Sequence, residues 1–161
     1  MYEVYGGGSD HYLNLSFSIL PEYLKSCCDY SSHAVGKWHL GMNKKSVLPQ
    51  SRGFDSHIGY LSGSENHSTH VAIFSTSSDG VDFFEGNNPS LDYQNIFSTP
   101  LFTEKAVEII QQFGNKSTKS SPNQPLFLYL SYQDAHWPQQ APQGKSSSSS
   151  ILVLPAVSTN C

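Results

Sequence analysis

Residues 20–28 carry apolar side chains at helical spacing. Leu20, Tyr23, Leu24, Cys27 and Cys28 form one stripe, Ser18 is placed as an N-cap, and Pro21 fits only a first turn. Residues 29–32, Asp-Tyr-Ser-Ser, read as a turn. His33, Ala34 and Val35 then predict a short buried strand running into Lys37, Trp38 and His39. Residues 51–70 are punctuated by glycine and lack a period, which predicts a long structured loop. Residues 71–95 read as an exposed excursion, with a hairpin of "VAIF" and "VDFF". Thr99-Pro100 opens the clearest helix, with Phe102, Ala106, Ile109, Ile110 and Phe113 on one face and Gly114 as its C-cap. After a polar linker, Pro125–Tyr132 is a continuous apolar run, about 26 Å of strand at roughly 3.3 Å per residue. Such a run suits a strand covered on both faces, as in a parallel sheet. Helix, strand, helix, strand is an α/β rhythm. Residues 1–17 read as a loose leader and 143–161 as a Ser-rich tail, disordered or not native to the domain, which leaves 18–142 as the domain.

Composition narrows the function classes. The 161 residues carry a formal net charge of −4, so no basic footprint points to nucleic acid or an anionic membrane. No run approaches the roughly 20 apolar residues of a membrane span, and the start lacks the regions of a signal peptide. The 3 cysteines show no metal-type spacing. Cys27 and Cys28 are adjacent, are not expected to bridge each other, and read as buried free thiols. Sequons at Asn14, Asn66 and Asn115 permit N-glycosylation in a secretory compartment, though a chain this rich in Asn and Ser produces such triplets by accident.

The candidate chemistry lies in "HAVGKWHLGM", residues 33–42. In an extended backbone, residues at i and i+2 share a face, so Lys37 and His39 would project together with Trp38 turned into packing. A lysine beside a titratable imidazole suits an anionic substrate. The plainer alternative is a solvated strand end and a hydrogen-bonded loop histidine. His136 adds a second signal. It follows the Pro125–Tyr132 strand, and ligand sites of open α/β sheets lie beyond the carboxyl ends of strands. If the two strands are parallel, Lys37, His39 and His136 share one edge.

Four blocks, "VGKWHLGM", "LPQSRGFDSHIGYLSGSENH", "TPLFTEKAVEII" and "PLFLYLSYQDAHWPQQAP", resemble successive blocks of the arylsulfatase family, nearest the arylsulfatase B-like N-acetylgalactosamine-4-sulfatases. The resemblance covers about residues 20–142. It implies the central part of an alkaline-phosphatase/sulfatase-like, mixed and mostly parallel sheet flanked by helices, and a sulfuric ester hydrolase acting on sulfated glycans or aryl sulfates, lysosomal or secreted. By the same resemblance Lys37 binds the sulfate oxygens, His39 holds or deprotonates the nucleophile, and His136 contacts sulfate and favours departure of the leaving oxygen. Arg52, Gly53, Phe54 and Asp55 match a block read as architectural, with Arg52 and Asp55 locking the long loop rather than touching substrate. The family's cofactors are calcium and a formylglycine made from the cysteine of a Cys-x-Pro-x-Arg motif. No cysteine here has proline two residues on, and neither an Asp-Asp nor an Asp-Asn pair occurs. The expectation is therefore a partial sulfatase domain without metal ligands, inactive alone. The alternative is a non-catalytic protein that binds sulfated glycans or a partner protein.

Overall fold

The computed structural model describes residues 10–75, 78–117 and 124–142. The first helix, α1, spans Leu20–Cys28, with Ile19 rather than Ser18 as its N-cap. Ile19 has no side-chain acceptor, so the end is closed from inside the helix. The Glu22 carboxylate accepts the Ile19 N–H at 2.8 Å. Asp29 ends the helix in the left-handed conformation, φ 51°.

The predicted apolar stripe of α1 is not a core face. Leu20 and Tyr23 are 56% and 59% exposed. The helix meets the body of the protein through Pro21, which lies against Gly53; a Cβ on Gly53 would come within 2.6 Å of the Glu22 nitrogen. The expectation for the cysteines is corrected with it. Cys27 and Cys28 sit in the outward-facing last turn, are exposed, and are joined in a disulfide.

Strand β1 is Ser31–Gly36, so the expected turn gives two of its residues to the strand. Two 3-10 turns, Lys45–Val47 and Pro49–Arg52, lead to β2, Ser56–Gly59, inside the expected loop. The hairpin is β3, Val71–Ser75, against β4, Ser78–Val81, with Val71 opposite Val81. The remainder of "VDFF" serves the main sheet instead, through the short β5, Phe84–Glu85, and β6, Asn88–Pro89. Helix α2, Ser98–Ser117, runs past Gly114, where a Cβ would meet nothing within 4 Å. The last strand, β7, is Leu126–Ser131.

The main sheet has the order β6-β5-β2-β1-β7. Strand β1 runs parallel to both β2 and β7, and the β5 and β6 pairings are antiparallel. Alternation along the strands divides the core into two layers. Val35, Ile58, Leu128 and Leu130 face α2, where Leu101 and Phe102 are buried. Ala34 and Phe127 face the other side, with Trp38, Leu48 and Phe54. Burying a side chain such as Phe102 contributes about 1.5–3 kcal/mol. Ile110, expected on the buried face of α2, is 52% exposed.

Of the expected loose leader, residues 10–17 are tied to the body. Leu13 N–H donates to the Leu40 carbonyl, and Arg52 donates to the Phe17 carbonyl. The readings of 1–9 and of the 143–161 tail lie outside the described residues.

Candidate functional site at the carboxyl edge of the parallel strands

The parallel pairing of β1 with β7 is what the site needs. Gly36 stands opposite Ser131, so the segments leaving both strands emerge on one edge. Close backbone approach there demands glycine. A Cβ on Gly36 (φ 99°) would lie 2.0 Å from the Ser131 carbonyl oxygen, and one on Gly59 would lie 2.1 Å from that of Gly36.

Lys37, Trp38 and His39 then diverge from a simple extended strand. Lys37 N–H donates to Ser131 on the β7 side, at 3.0 Å. Trp38 and His39 donate to Tyr60 and Leu61 on the β2 side, at 2.9 and 3.1 Å. His39 has φ 56°, so the i, i+2 rule does not set its direction. Its ring lies against Gly63, where a Cβ would come 3.0 Å from Nε2. Trp38 anchors the segment: it is buried, and its Nε1–H donates to the Val47 carbonyl at 3.1 Å. Lys37 is half-buried, and burial lowers its pKa below the ordinary lysine value.

His136 lies in the turn after β7 and is exposed. Its backbone N–H donates to the Gln133 carbonyl at 3.1 Å. Its Nδ1 is 2.7 Å from the Trp137 carbonyl oxygen. A carbonyl only accepts, so Nδ1 carries the hydrogen and a neutral ring keeps its lone pair on Nε2.

Beneath this edge lies a buried polar layer that sequence reasoning missed. Asp82 is fully buried and accepts the N–H groups of Leu61 and Ser62 at 3.0 and 2.8 Å. Its carboxylate thereby fixes the chain that receives His39. Glu65 and His70 are both fully buried, with Glu65 Oε1 2.9 Å from His70 Nδ1. Burial pushes the Glu65 carboxyl up to about 10, and the Asp82 charge adds to that. Burial lowers the His70 pKa. The pair is therefore a neutral acid and a neutral imidazole. His70 Nε2–H donates to the Tyr93 carbonyl at 3.1 Å, which leaves Nδ1 to accept the Glu65 O–H. The available signal was "SGSENHSTH", a run of polar residues inside a glycine-punctuated segment; its burial depends on contacts with α2 and with the turn after β7 that no local pattern reveals.

Arg52 and Asp55 take the locking roles expected of them. Arg52 is buried and pairs with Glu22 at 2.7 Å. Asp55 accepts the Ser32 N–H at 2.8 Å and pairs with Lys25 at 2.7 Å. The sequon residues differ in setting. Asn14 is exposed, Asn66 caps its own turn by accepting from Ser68 and Thr69 N–H, and Asn115 lies in the last turns of α2.

The described residues do not fit a calcium ion. Among the described residues no group of three or more His, Cys, Asp or Glu side chains is arranged to hold a metal. The buried carboxylates are occupied otherwise, Asp82 by backbone amides and Glu65 by His70. Cys27 and Cys28 lie in the last turn of α1, ahead of the amino end of β1 rather than at its carboxyl end, and are bonded to each other. Two of the cavities formed by the described residues lie elsewhere, and neither of these is lined by Lys37, His39 or His136. One of about 570 Å³ lies between β2, the β5–β6 turn and α2, and another of about 710 Å³ lies between the start of α2 and residues 134–142.

Fold and edge together define an α/β scaffold of the alkaline-phosphatase-like kind, and sequence comparison gives the family. The family described as Sulfatase matches residues 2–151. This chain belongs to the sulfatase family. It is 41% identical over 131 residues to arylsulfatase J of Mus musculus, covering 81% of this chain and 21% of that protein. It is 31% identical over 150 residues to an uncharacterized sulfatase of Schizosaccharomyces pombe, covering 88% of this chain and 25% of that one. The crystal structure of Ps i-CgsB superimposes with a TM-score of 0.67 at 25% identity, over 84% of this chain and 30% of that one. The same protein in complex with k-i-k-neocarrahexaose gives 0.65. The chain thus spans about a fifth to a quarter of the curated relatives' length. Among the described residues no helix is long and apolar enough to cross a membrane.

Proposed function

We propose that this chain is the sulfate-cradling part of a sulfuric ester hydrolase, inactive as it stands. The observation that carries the reading is the parallel β1–β7 pair, which supports Lys37 and His39 on one strand end and His136 beyond the other. In this reading Lys37 supplies a fixed positive charge to the sulfate oxygens, strengthened by its partial burial. His39 orients or deprotonates the nucleophile. His136 contacts the sulfate and protonates the leaving oxygen, a role open to it when the ring carries a second proton on Nε2. The nucleophile and the calcium ligands of a sulfatase are supplied by other parts of such a domain, and catalysis needs them together. The substrate class is a sulfated glycan or aryl sulfate of the N-acetylgalactosamine 4-sulfate type, met in a lysosomal or secretory setting.

The test is calorimetric titration with N-acetylgalactosamine 4-sulfate and with the unsulfated sugar, alongside an aryl sulfate turnover assay. Binding confined to the sulfated sugar, lost in Lys37→Ala and without turnover, is expected. Equal affinity for both sugars would remove the reading, and release of sulfate would remove the claim of inactivity. A second reading is a non-catalytic binder of sulfated glycans or of a partner protein. It predicts that the full-length product also lacks turnover.

A further inference from the structure

The turn that carries His136 is held at both ends to one short segment of the buried polar layer. At its start, the fully buried Gln133 donates through Nε2 to the Glu65 carbonyl. The Gln133 Oε1 lies 3.4 Å from Ser98 Oγ, whose single hydroxyl hydrogen is directed mainly at the His67 carbonyl. At its end, Gln140 reaches back across 73 positions of sequence, and its Oε1 accepts the His67 backbone N–H at 2.7 Å. The anchor points, Glu65 and His67, are two residues apart. That segment is itself rigid. Glu65 is bonded to His70, Ser98 N–H and Oγ both donate to the His67 carbonyl at 2.8 and 2.9 Å, and the His67 ring packs on Phe97. Between the two pins Asp134 accepts from Thr99 Oγ1 and lies 3.9 Å from His67 Nδ1.

We propose that Gln133 and Gln140 are positioning residues that hold the His136 turn over the sulfate-binding edge through opposite hydrogen-bond polarities. Gln133 works as a donor to a carbonyl and Gln140 as an acceptor from an amide. This inference rests on the sulfate-cradle reading for its purpose, but the latch itself is testable without it. Without the pins, an exposed turn of this length samples many conformers, and ordering it on binding opposes affinity. With them, His136 is presented from a fixed turn.

The polarity gives the experiment a signature that simple packing does not share. Amide hydrogen exchange at His67 and His136 is measured by NMR in the wild-type chain and in Gln140→Ala, Gln140→Glu and Gln133→Glu. Gln140→Ala should speed exchange at both amides at least tenfold, and Gln140→Glu, which keeps the acceptor, should restore protection. Gln133→Glu, which sets a carboxylate against a carbonyl oxygen, should not. Equal protection in Gln140→Ala and wild type, or loss of protection in Gln140→Glu, overturns the latch. Because Gln140 is exposed, its variants test the proposal even if Gln133→Glu does not fold. Titration with inorganic sulfate separates the two ideas: Gln140→Ala should lose the shift change at His136 and keep that at Lys37. If wild type shows neither shift while the exchange pattern holds, the latch stands and the sulfate reading falls.

Discussion

Replacing Glu65 with glutamine isolates the electrostatics of the buried layer. The native carboxyl is held neutral, with its pKa pushed up to about 10 from the ordinary 4.5. A glutamine side chain reproduces the neutral acid, since its amide can donate to His70 Nδ1 as the O–H does. The sign follows from proton counts. Between pH 4.5 and about 10 the unfolded chain has released this proton and the native chain retains it. Wild-type stability therefore declines as pH rises through that window, by about 1.4 kcal/mol per pH unit. The Glu65→Gln variant has no such slope. From pH 6 to pH 8 the difference between the two proteins should grow by about 3 kcal/mol. His70 titrates in both and cancels to first order. Urea unfolding at pH 6, 7 and 8 reads the effect as a widening gap in midpoint, about 1–3 M for a chain of this size. Parallel stability curves for the two proteins would show that Glu65 titrates normally, and the neutral-pair description would fail.

Three further outcomes follow from the same geometry. Gly36→Ala forces a Cβ to 2.0 Å from the Ser131 oxygen at a positive φ, and should cost at least about 3 kcal/mol in urea unfolding; a cost below about 1 kcal/mol contradicts the close approach. Asp82→Ala strands two buried amides, those of Leu61 and Ser62, at about 1–3 kcal/mol each; retained exchange protection at both would refute the role given to Asp82. The hydrogen bond from Arg52 holds Glu22 below the usual carboxylate range. Its stabilising contribution is therefore complete above pH 4.5 and is lost as pH falls through the depressed value. Arg52→Ala should lower stability at neutral pH and flatten that acid dependence, which an acid titration followed by circular dichroism checks.

The sequence was legible where local pattern and tertiary packing agree. Val35, Phe102 and Ala106 fell on predicted core positions and are buried. The continuous apolar run Pro125–Tyr132 announced a parallel strand, which β7 is over Leu126–Ser131, but β7 lies at the edge of the described sheet and is not covered on both faces, with Tyr129 42% exposed. Where burial is decided from afar, the local pattern carries no sign of it. The α1 stripe looked amphipathic, yet only Pro21 of that helix is buried, because Gly53 meets its N-terminal turn and leaves Leu20, Tyr23 and the cysteines outward. Lys37 and His39 were identified as neighbours, but their shared-face geometry assumed an extended strand that ends at Gly36. The buried Glu65, His67, His70 and Asp82 carried no periodic signal. Their surroundings are assembled by bonds between distant positions: His70 to Tyr93 spans 23 residues, His67 to Ser98 spans 31, and Ser98 to Gln133 spans 35.

If the edge beyond β1 and β7 binds sulfate through Lys37, the titration of that lysine must respond to sulfate. Burial lowers the pKa of this ammonium in the free protein. A bound dianion favours the charged form, so by linkage the pKa must rise when sulfate is added. Heteronuclear NMR of the Lys37 ε-methylene, with and without sodium sulfate at constant ionic strength, reads both values. The expected result is a depressed pKa that climbs on addition of sulfate but not of chloride. A Lys37 titration indifferent to sulfate would contradict it.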